Sequence, residues 1–356
     1  MAISENDVLS ALAQVVDPDL RKDIVSLGFV KDLVISDKGD VSLKIELTTP
    51  ACPVKDQMHE QAIELVEALP GVGGVNIEMT ARVRERSSEP QDLIPGVRHA
   101  IAIASGKGGV GKSTVTVNLA IALAQTGAKV GLLDADVYGP SIPLMMGCAN
   151  ERPYTQDQKI LPIEKYGLKM MSLGFLIEPD QAVMWRGPMV AGTVKQLLQD
   201  VQWGELDYLL IDLPPGTGDA PMSLAQLAPL TGVVIVATPQ HVAANIAGKA
   251  VLMFRKLDTH ILGVVENMAG YICTNCGATN EIFTGLGGEE LSKRLNVPFL
   301  GSIPLDPVIS SSGDNGEPAL IANPDRPQAD SFKLIAGKLA QQASIMNYAR
   351  KDLTRI

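Results

Sequence analysis

Short apolar runs alternate with segments of helical spacing through the chain from residue 98 onward. The apolar runs lie at 100–104, 129–134, 208–212, 233–237, 261–266 and 299–303. Apolar residues at helical spacing occupy the segments 113–125, 189–199, 242–257, 289–295 and 329–346. Strands that are apolar throughout belong to parallel sheets covered by helices on both faces. The pattern therefore predicts an α/β fold built on a doubly wound, mostly parallel sheet.

The first part of the chain has a different pattern, typical of a small α+β unit. Ser4 can cap a helix that extends to Val16, and a turn at 37–40 separates two apolar strands. Those strands, the helix that follows and a third strand are expected at 29–35, 41–47, 54–69 and 75–83. The next residues are polar, which is typical of a linker. We predict three regions: a small α+β domain at 1–83, a linker at 84–97 and the larger α/β domain at 98–356.

Composition and charge restrict the class of protein further. Of the 356 residues, 46% are hydrophobic but only 4% are aromatic, which suits a sheet core of Val, Ile, Leu and Ala. The net charge of −10 argues against binding to nucleic acid or to anionic membranes. No apolar stretch has the length of a transmembrane helix, and the first residues lack the features of a secretory signal. Four cysteines are too few for a disulfide scaffold, so we expect a cytoplasmic protein.

A glycine-rich loop between the first strand and helix of the larger domain carries the strongest functional signal. The phosphate-binding pattern G-x-x-x-x-G-K-[ST] is matched by Gly106-Lys107-Gly108-Gly109-Val110-Gly111-Lys112-Ser113. Backbone N–H groups and the helix N-terminus favour phosphate there, Lys112 would contact the β- and γ-phosphates, and the Ser113 hydroxyl would bind Mg²⁺. The nucleotide is therefore expected to contact Gly106, Lys107, Gly108, Gly109, Val110, Gly111, Lys112, Ser113 and Thr114.

Carboxylates end two of the predicted strands. Asp212 closes the run 208–212 in the manner of a Walker B strand and would hold Mg²⁺ through a water molecule. Asp134 and Asp136 stand at the end of the run 129–134. Because the carboxyl ends of parallel strands meet at the ligand edge of such sheets, these groups can lie near the phosphates. We assign Asp136 to position or activate the attacking water, and Asp134 to support the Mg²⁺ site.

With lysine as its second residue, the loop resembles the deviant Walker A motif of the class of MinD, ParA and the nitrogenase iron protein. The resemblance implies a homodimer that encloses the nucleotides, with Lys107 reaching the nucleotide of the partner subunit. It marks Asp136 as the switch I acid and Asp212 with Asp219 as the switch II region. The expected catalytic residues are Lys107, Lys112, Asp136 and Asp212.

The same resemblance gives a role to Asn267, which follows the apolar run 261–266. In this class an asparagine reads the adenine base, and an amide can pair with both N6 and N7 of adenine, which favours ATP over GTP. Taken alone, Asn267 also fits an ordinary turn residue at the end of a strand.

Two cysteines, Cys273 and Cys276, form a C-x-x-C pair shortly after Asn267. Such a turn places two thiolates on one side of the chain, near enough to share a metal, but zinc and iron–sulfur clusters usually take four protein ligands. A two-fold dimer would double the pair to four ligands at its axis. From the residues alone, a redox dithiol, half of a zinc ribbon and plain surface thiols stay open as alternatives.

Together, the deviant P-loop and the cysteine pair resemble the Mrp/ApbC family of iron–sulfur carrier ATPases over nearly the full length of the chain. The supporting strings are Asp134-Ala135-Asp136-Val137-Tyr138-Gly139-Pro140-Ser141, Trp185-Arg186-Gly187-Pro188-Met189, Asp212-Leu213-Pro214-Pro215-Gly216-Thr217-Gly218-Asp219 and Glu266-Asn267-Met268. The N-terminal unit resembles the small iron–sulfur assembly domain often fused to this family, as in Leu47-Thr48-Thr49-Pro50-Ala51-Cys52-Pro53.

The resemblance implies an ATPase that binds a labile iron–sulfur cluster, with [4Fe–4S] favoured, through Cys273 and Cys276 of both subunits. Slow ATP hydrolysis gates cluster assembly or release, and the partners are apo iron–sulfur proteins and assembly factors. A positioning ATPase of the MinD/ParA type is the alternative, although the chain lacks a basic amphipathic C-terminal helix and a net basic surface. A reductase like the nitrogenase iron protein ranks last, because that class takes its ligands from separated cysteines.

The other two cysteines receive different interpretations. Cys52 precedes a predicted helix, whose N-terminus would lower the thiol pKa and suit cluster hand-off. A small apolar residue in a turn is the alternative interpretation of Cys52. Cys148 is expected to be structural.

Overall fold

The computed structural model describes residues 3–83, 93–177, 187–273, 276 and 278–353. The chain divides into two units: unit 1 comprises Met1–Arg84 and Ser344–Ile356, and unit 2 comprises Glu85–Ala343. Residues 84–92 of the predicted linker lie outside the described residues, as do Trp185 and Arg186.

The N-terminal segment of unit 1 contains a three-stranded sheet, a short two-stranded ladder and two helices. Its elements are α1 (Glu5–Leu12), β1 (Val16–Asp17), β2 (Lys22–Asp23), β3 (Val30–Ile35), β4 (Val41–Leu47), α2 (Lys55–Glu67) and β5 (Val75–Ala81). β4 is the central strand, antiparallel to β3 and parallel to β5. Its alternate residues Val41, Leu43, Ile45 and Leu47 are buried in the core of this unit. The predicted hairpin, second helix and third strand are confirmed.

The first helix is shorter than the sequence predicts. Ser4 caps α1 as expected: its hydroxyl accepts a hydrogen bond from the Asp7 N–H, and the Asp7 carboxylate accepts one from the Ser4 N–H. The helix ends at Leu12 rather than at Val16, because Val16 pairs with Asp23 in the short β1–β2 ladder. Tertiary pairing therefore overrides the helical spacing at this end.

A large sheet forms the centre of unit 2. The strands of this unit are β6 (Val97–Ser105), β7 (Val130–Asp134), β8 (Thr155–Gln156), β9 (Lys159–Ile160), β10 (Ile163–Lys165), β11 (Leu168–Ser172), β12 (Leu206–Asp212), β13 (Gly232–Ala237), β14 (Ile261–Ile272), β15 (Thr279–Asn280) and β16 (Phe299–Leu305). Within the described residues the sheet has nine strands in the order β10-β11-β7-β12-β6-β13-β14-β15, with β16 also paired to β14. β10 and β15 are antiparallel to their neighbours, and the other pairs are parallel. The predicted α/β fold with a mostly parallel sheet is confirmed.

Helices lie between the strands of the sheet along the chain and after its last strand. They are α3 (Lys112–Gln125), α4 (Ile142–Met145), α5 (Gly187–Gln199), α6 (Asp219–Leu227), α7 (His241–Lys256), α8 (Gly287–Leu295), α9 (Pro307–Asp314), α10 (Ala319–Ala322) and α11 (Pro327–Leu353). The five predicted helices correspond to α3, α5, α7, α8 and α11, whereas the sequence pattern missed α4, α6, α9 and α10. Nowhere in the described part of the chain is a helix long and apolar enough to cross a membrane.

The central strands bring their carboxyl ends to one edge of the sheet. β7 and β13 are buried at every position, and β6 and β12 at all but one. Because both faces of these strands are buried, the strands appear in the sequence as continuous apolar runs. Since they are parallel, the loops that follow them converge at the same edge, which is where such sheets bind ligands.

Candidate functional site

The glycine-rich loop joins β6 to α3 at this edge. β6 ends at Ser105, whose hydroxyl donates to the Lys107 carbonyl over 2.9 Å, and α3 begins at Lys112. Gly109 and Gly111 have φ angles of +78° and +76°, a region that favours glycine. The loop thus depends on its glycines and leads directly into a helix N-terminus, where unpaired backbone N–H groups attract anions.

Both ends of the loop pack tightly against other elements. A Cβ atom on Gly106 would lie 2.7 Å from the backbone of Ile246 in α7, and one on Gly111 would overlap the side-chain nitrogen of Asn267 in β14. In the middle of the loop, at 108–109, a Cβ would meet nothing closer than 4.0 Å. The loop is therefore clamped at its two ends and open between them.

A cluster of polar side chains surrounds the first turn of α3. Asp212, fully buried at the end of β12, accepts hydrogen bonds from Ser113 Oγ at 2.6 Å and from Thr116 Oγ1 at 2.7 Å. Lys112 Nζ lies 2.8 Å from Asp212 Oδ2 and 3.8 Å from Asp136 Oδ2. The structure thus brings together residues that the sequence predicts from three separate stretches. Thr116 was not predicted.

This cluster has the chemistry that a nucleotide and its Mg²⁺ ion need. Mg²⁺ prefers oxygen ligands, and Ser113 and Asp212 present a hydroxyl and a carboxylate side by side. Lys112 Nζ lies at ion-pair distance from Asp212 but has no hydrogen-bond partner of suitable geometry among the described residues, and neither has the buried Asp136 Oδ1. A phosphate group and an attacking water would satisfy these two atoms. The half-buried Thr114 follows in the same turn of α3.

The two aspartates after β7 have different surroundings. Asp134 is buried, and it accepts hydrogen bonds from Ser172 Oγ at 3.0 Å and from the first backbone N–H of α4 at 3.3 Å. Burial, together with the nearby Asp212 carboxylate, raises the pKa of Asp134 to about 7. Burial also raises the pKa of Asp136, while the Lys112 ammonium opposes this rise. Asp134 therefore anchors the chain after β7, and Asp136 is the carboxylate that shares Lys112 with Asp212.

Lys107 has a partner within its own chain. Its side chain is half-buried, and Nζ donates to Gln240 Oε1 over 3.2 Å. Gln240 lies between β13 and α7, and the same oxygen accepts from Thr238 Oγ1 at 3.1 Å. The reach across a dimer that the resemblance implies for Lys107 stays a prediction. The sequence pattern did not identify Gln240, which lies three residues after the end of β13 and belongs to no motif.

Asn267 lies inside β14, not at a strand end as predicted. The strand continues from Ile261 to Ile272. Its pairing with β16 is irregular around Met268, where φ is +60°, and resumes at Tyr271. Asn267 is buried, and its Nδ2 donates to the Val110 carbonyl over 2.9 Å. In this structure the amide therefore holds the glycine-rich loop. Its role in reading adenine stays a prediction.

The cysteine pair lies at the tip of a hairpin that β14 and β15 form. Ile272 is paired with Thr279, and the Cys273 N–H donates to the Ala278 carbonyl over 2.9 Å. Cys273 is half-buried and Cys276 is exposed. Within the described residues, which leave out 274, 275 and 277, no group of three or more Cys, His, Asp and Glu could hold a metal ion. The tip thus offers two thiols from one chain.

Cys52 does not have the lowered pKa that its position before a helix predicts. Burial raises the pKa of the Cys52 thiol to about 11, and the nearby Asp19 and Asp17 carboxylates act in the same direction. Desolvation of the thiolate therefore outweighs the effect of the α2 N-terminus. Burial likewise raises the pKa of Cys148 to about 11, and its Sγ contacts the Pro143 carbonyl.

Alkylation with iodoacetamide at pH 8 should separate these thiols. Only the thiolate reacts, and a group with a pKa of about 11 is about 0.1% ionised at pH 8. We expect Cys276 to be modified first, and Cys52 and Cys148 to react at least about tenfold more slowly, with rates that rise as the pH approaches 11. Peptide mass spectrometry of timed samples measures this, with urea-unfolded protein as the control. Rapid modification of Cys52 at pH 8 would contradict its burial.

Comparison with known proteins gives matches along most of the chain. Residues 96–340 match the family model described as NUBPL iron-transfer P-loop NTPase, and residues 5–79 match the one described as iron-sulfur cluster assembly protein. The iron-sulfur cluster carrier protein of Synechocystis sp. is 44% identical over 349 residues, which cover 96% of this chain and 99% of that protein. The carrier protein of Deinococcus radiodurans is 46% identical over 340 residues, which cover 95% of each chain.

Solved structures share the fold, and one of them is a complex with ADP. A nucleotide-binding protein of Archaeoglobus fulgidus in complex with ADP is 40% identical, with a TM-score of 0.58 over 67% of this chain and 93% of that one. The cell division ATPase MinD of Pyrococcus furiosus is 25% identical, with a TM-score of 0.50 over 67% of this chain and 97% of that one. The expected likeness in fold to MinD is confirmed.

Proposed function

The chain belongs to the family of iron-transfer P-loop NTPases, and from this premise we propose that it is an ATP-hydrolysing carrier that binds a labile iron–sulfur cluster and transfers it to apoproteins. The cluster is cargo, held by Cys273 and Cys276 of two subunits. The observation that carries the proposal is the position of this pair, at the tip of a hairpin whose first strand contacts the P-loop through Asn267.

The number of ligands supports a homodimer. Iron–sulfur clusters usually take four cysteines, and each chain contributes Cys273 and Cys276. A two-fold axis near the hairpin tip would supply four thiolates without any further residue. Four cysteine ligands fit a [2Fe–2S] or a [4Fe–4S] cluster, and the resemblance to the carrier family favours [4Fe–4S]. Exposure of Cys276 suits transfer, because an incoming thiol of the recipient has to reach the cluster to replace a ligand.

The nucleotide site supports slow ATP hydrolysis. Ser113 and Asp212 would hold Mg²⁺, which supplies Lewis-acid stabilisation of the phosphoryl oxygens when bound. Lys112, at the N-terminus of α3, would neutralise the β- and γ-phosphates. Asp136 Oδ1 is buried without a hydrogen-bond partner in the described residues, and it would orient the attacking water. Lys107 of the partner subunit would complete the charge around the γ-phosphate, so turnover would depend on dimer formation.

The partners of this protein are inferred from the iron–sulfur cluster that it would carry. Recipients are apo iron–sulfur proteins, and donors are assembly factors that supply iron and sulfide. Unit 1, whose residues match an iron–sulfur assembly family, would serve these encounters.

Metal analysis of the full-length protein tests the proposal. After anaerobic reconstitution with iron and sulfide, we expect about four iron and four acid-labile sulfide per dimer, with little zinc. The Cys148→Ala variant is the matched control, because it removes a buried thiol away from the hairpin and should load to the same extent.

Zinc alone, or no metal, in a correctly folded wild-type protein would contradict the carrier function. In that outcome Cys273 and Cys276 would have a structural or redox role. A positioning ATPase of the MinD/ParA type would then be the better description.

A further inference from the structure

The glycine-rich loop is connected to the cysteine hairpin in two places. The first connection is the bond from Asn267 Nδ2 to the Val110 carbonyl, at 2.9 Å. The Asn267 amide also packs against Gly111 so closely that no Cβ fits there. From Asn267 the chain continues in β14 to Ile272, and Cys273 follows directly. This connection therefore holds the outgoing arm of the hairpin.

The second connection passes through Gln240. Its side-chain oxygen accepts a hydrogen bond from Lys107 Nζ at 3.2 Å, and its backbone forms an antiparallel bridge with Gly285. Packing there is tight, because a Cβ on Gly285 would overlap the Pro239 carbonyl oxygen. Gly285 follows β15, so this connection holds the returning arm of the hairpin.

The two connections meet in the loop expected to surround the phosphates. Lys107 and Val110 both belong to that loop, whose middle has open space around it. Asn267 and Gly285 flank the segment that carries both cysteines. A displacement of the loop would therefore act on both arms of the hairpin through direct contacts.

We propose that Gln240 is a positioning residue that couples the nucleotide to the cluster. It holds Lys107 when no phosphate is within reach of the lysine, and it releases Lys107 when a phosphate is. This inference rests on the proposed function. Because a phosphate is charged and the Gln240 amide is neutral, Lys107 leaves Gln240 when a phosphate comes within reach. Gln240 then loses a partner that fixes its side chain, and its bridge to Gly285 passes the change to the hairpin. The two positions of Lys107 are the two states that such coupling requires.

Nucleotide dependence of cluster transfer tests this role. The full-length protein is loaded with iron and sulfide and mixed with an apo-ferredoxin, and transfer is followed by circular dichroism with and without ATP. For the wild type we expect ATP to change the transfer rate by about fivefold or more, the usual scale of coupling between sites. For Gln240→Ala we expect less than about a twofold change, with unaltered iron content.

Two further variants sharpen the test. Gln240→Glu places a carboxylate beside Lys107, so it should retain the lysine and slow ATP turnover several-fold, with little change in KM. Gln125→Ala, at the exposed end of α3, is the matched control and should keep the wild-type response. In a Lys107→Ala background, Gln240→Ala should add no further loss of coupling, because both residues act in one step.

The outcomes separate this inference from the function on which it rests. A wild-type protein that takes up no cluster would refute the carrier function itself. A wild type that carries and transfers the cluster would uphold that function. If the wild-type transfer rate does not depend on ATP, Gln240 does not couple the sites. The same conclusion holds if ATP changes the transfer rate of Gln240→Ala as much as that of the wild type.

Discussion

Replacing Lys112 with alanine is expected to lower ATP turnover by about 10²-fold to 10³-fold, the usual cost of removing one transition-state contact to a developing charge. Lys112 begins α3, and its ammonium lies 2.8 Å from the Asp212 carboxylate that would hold Mg²⁺. Without the lysine, the phosphates would enter a site that keeps the negative charges of Asp212 and Asp136 but loses the ammonium beside them. Phosphate release and equilibrium binding of a fluorescent ATP analogue measure the loss.

Controls distinguish this loss from unfolding. Lys112→Ala also removes the cation beside the buried Asp212 and the half-buried Asp136 carboxylates, so we expect its melting temperature to fall. Ser113→Ala keeps the ion pairs of Lys112 and removes only the hydroxyl with its hydrogen bond to Asp212, so turnover should fall while the melting temperature falls less than in Lys112→Ala. Lys129→Ala, exposed before β7 at the opposite edge of the sheet, should behave as wild type. Wild-type turnover by Lys112→Ala would refute the assigned site.

Replacing Cys273 with alanine is expected to reduce bound iron and sulfide to less than about a tenth of the wild-type load. In a symmetric dimer the substitution removes two of the four thiolates at once, because each subunit contributes Cys273 and Cys276. Reconstitution followed by desalting and iron, sulfide and absorbance measurements provides the test.

The fold and nucleotide binding should survive this change. Cys273 is half-buried, and its backbone N–H keeps the bond to the Ala278 carbonyl whatever its side chain. ATP affinity and melting temperature should therefore stay at wild-type values. Cys52→Ala is the comparison variant. An equal loss of iron and sulfide from it would show that the effect is not specific to Cys273. A full load of iron and sulfide on Cys273→Ala would show that the cluster binds elsewhere.

Much of unit 2 could be predicted because its strands are buried on both faces. Such strands leave continuous apolar runs, and each predicted run corresponds to a strand of the sheet. The rule that parallel strands meet at their carboxyl ends then placed the loop at Lys112 beside Asp136 and Asp212. Sequence motifs also indicated the family, and the comparisons confirm it.

The remaining features depend on contacts between residues far apart in sequence. Cys52 precedes a helix, but only the folded unit shows that burial sets its pKa. Gln240 belongs to no motif, and its contact with Lys107 needs β6 and β13 to be neighbours. β14 passes Asn267 because β16 continues to pair with it after an irregularity. Local pattern carries no signal for any of these three.

The C-terminal part of α11 belongs to unit 1, and this has a consequence for biosynthesis. Tyr348 packs against the core of unit 1 that includes Phe29 and Ile45. On the ribosome, residues 1–84 emerge before unit 2, whereas residues 344–353 are translated only after the whole of unit 2. Unit 1 therefore completes its packing last, and the apolar surface that Tyr348 covers stays accessible to chaperones through most of translation.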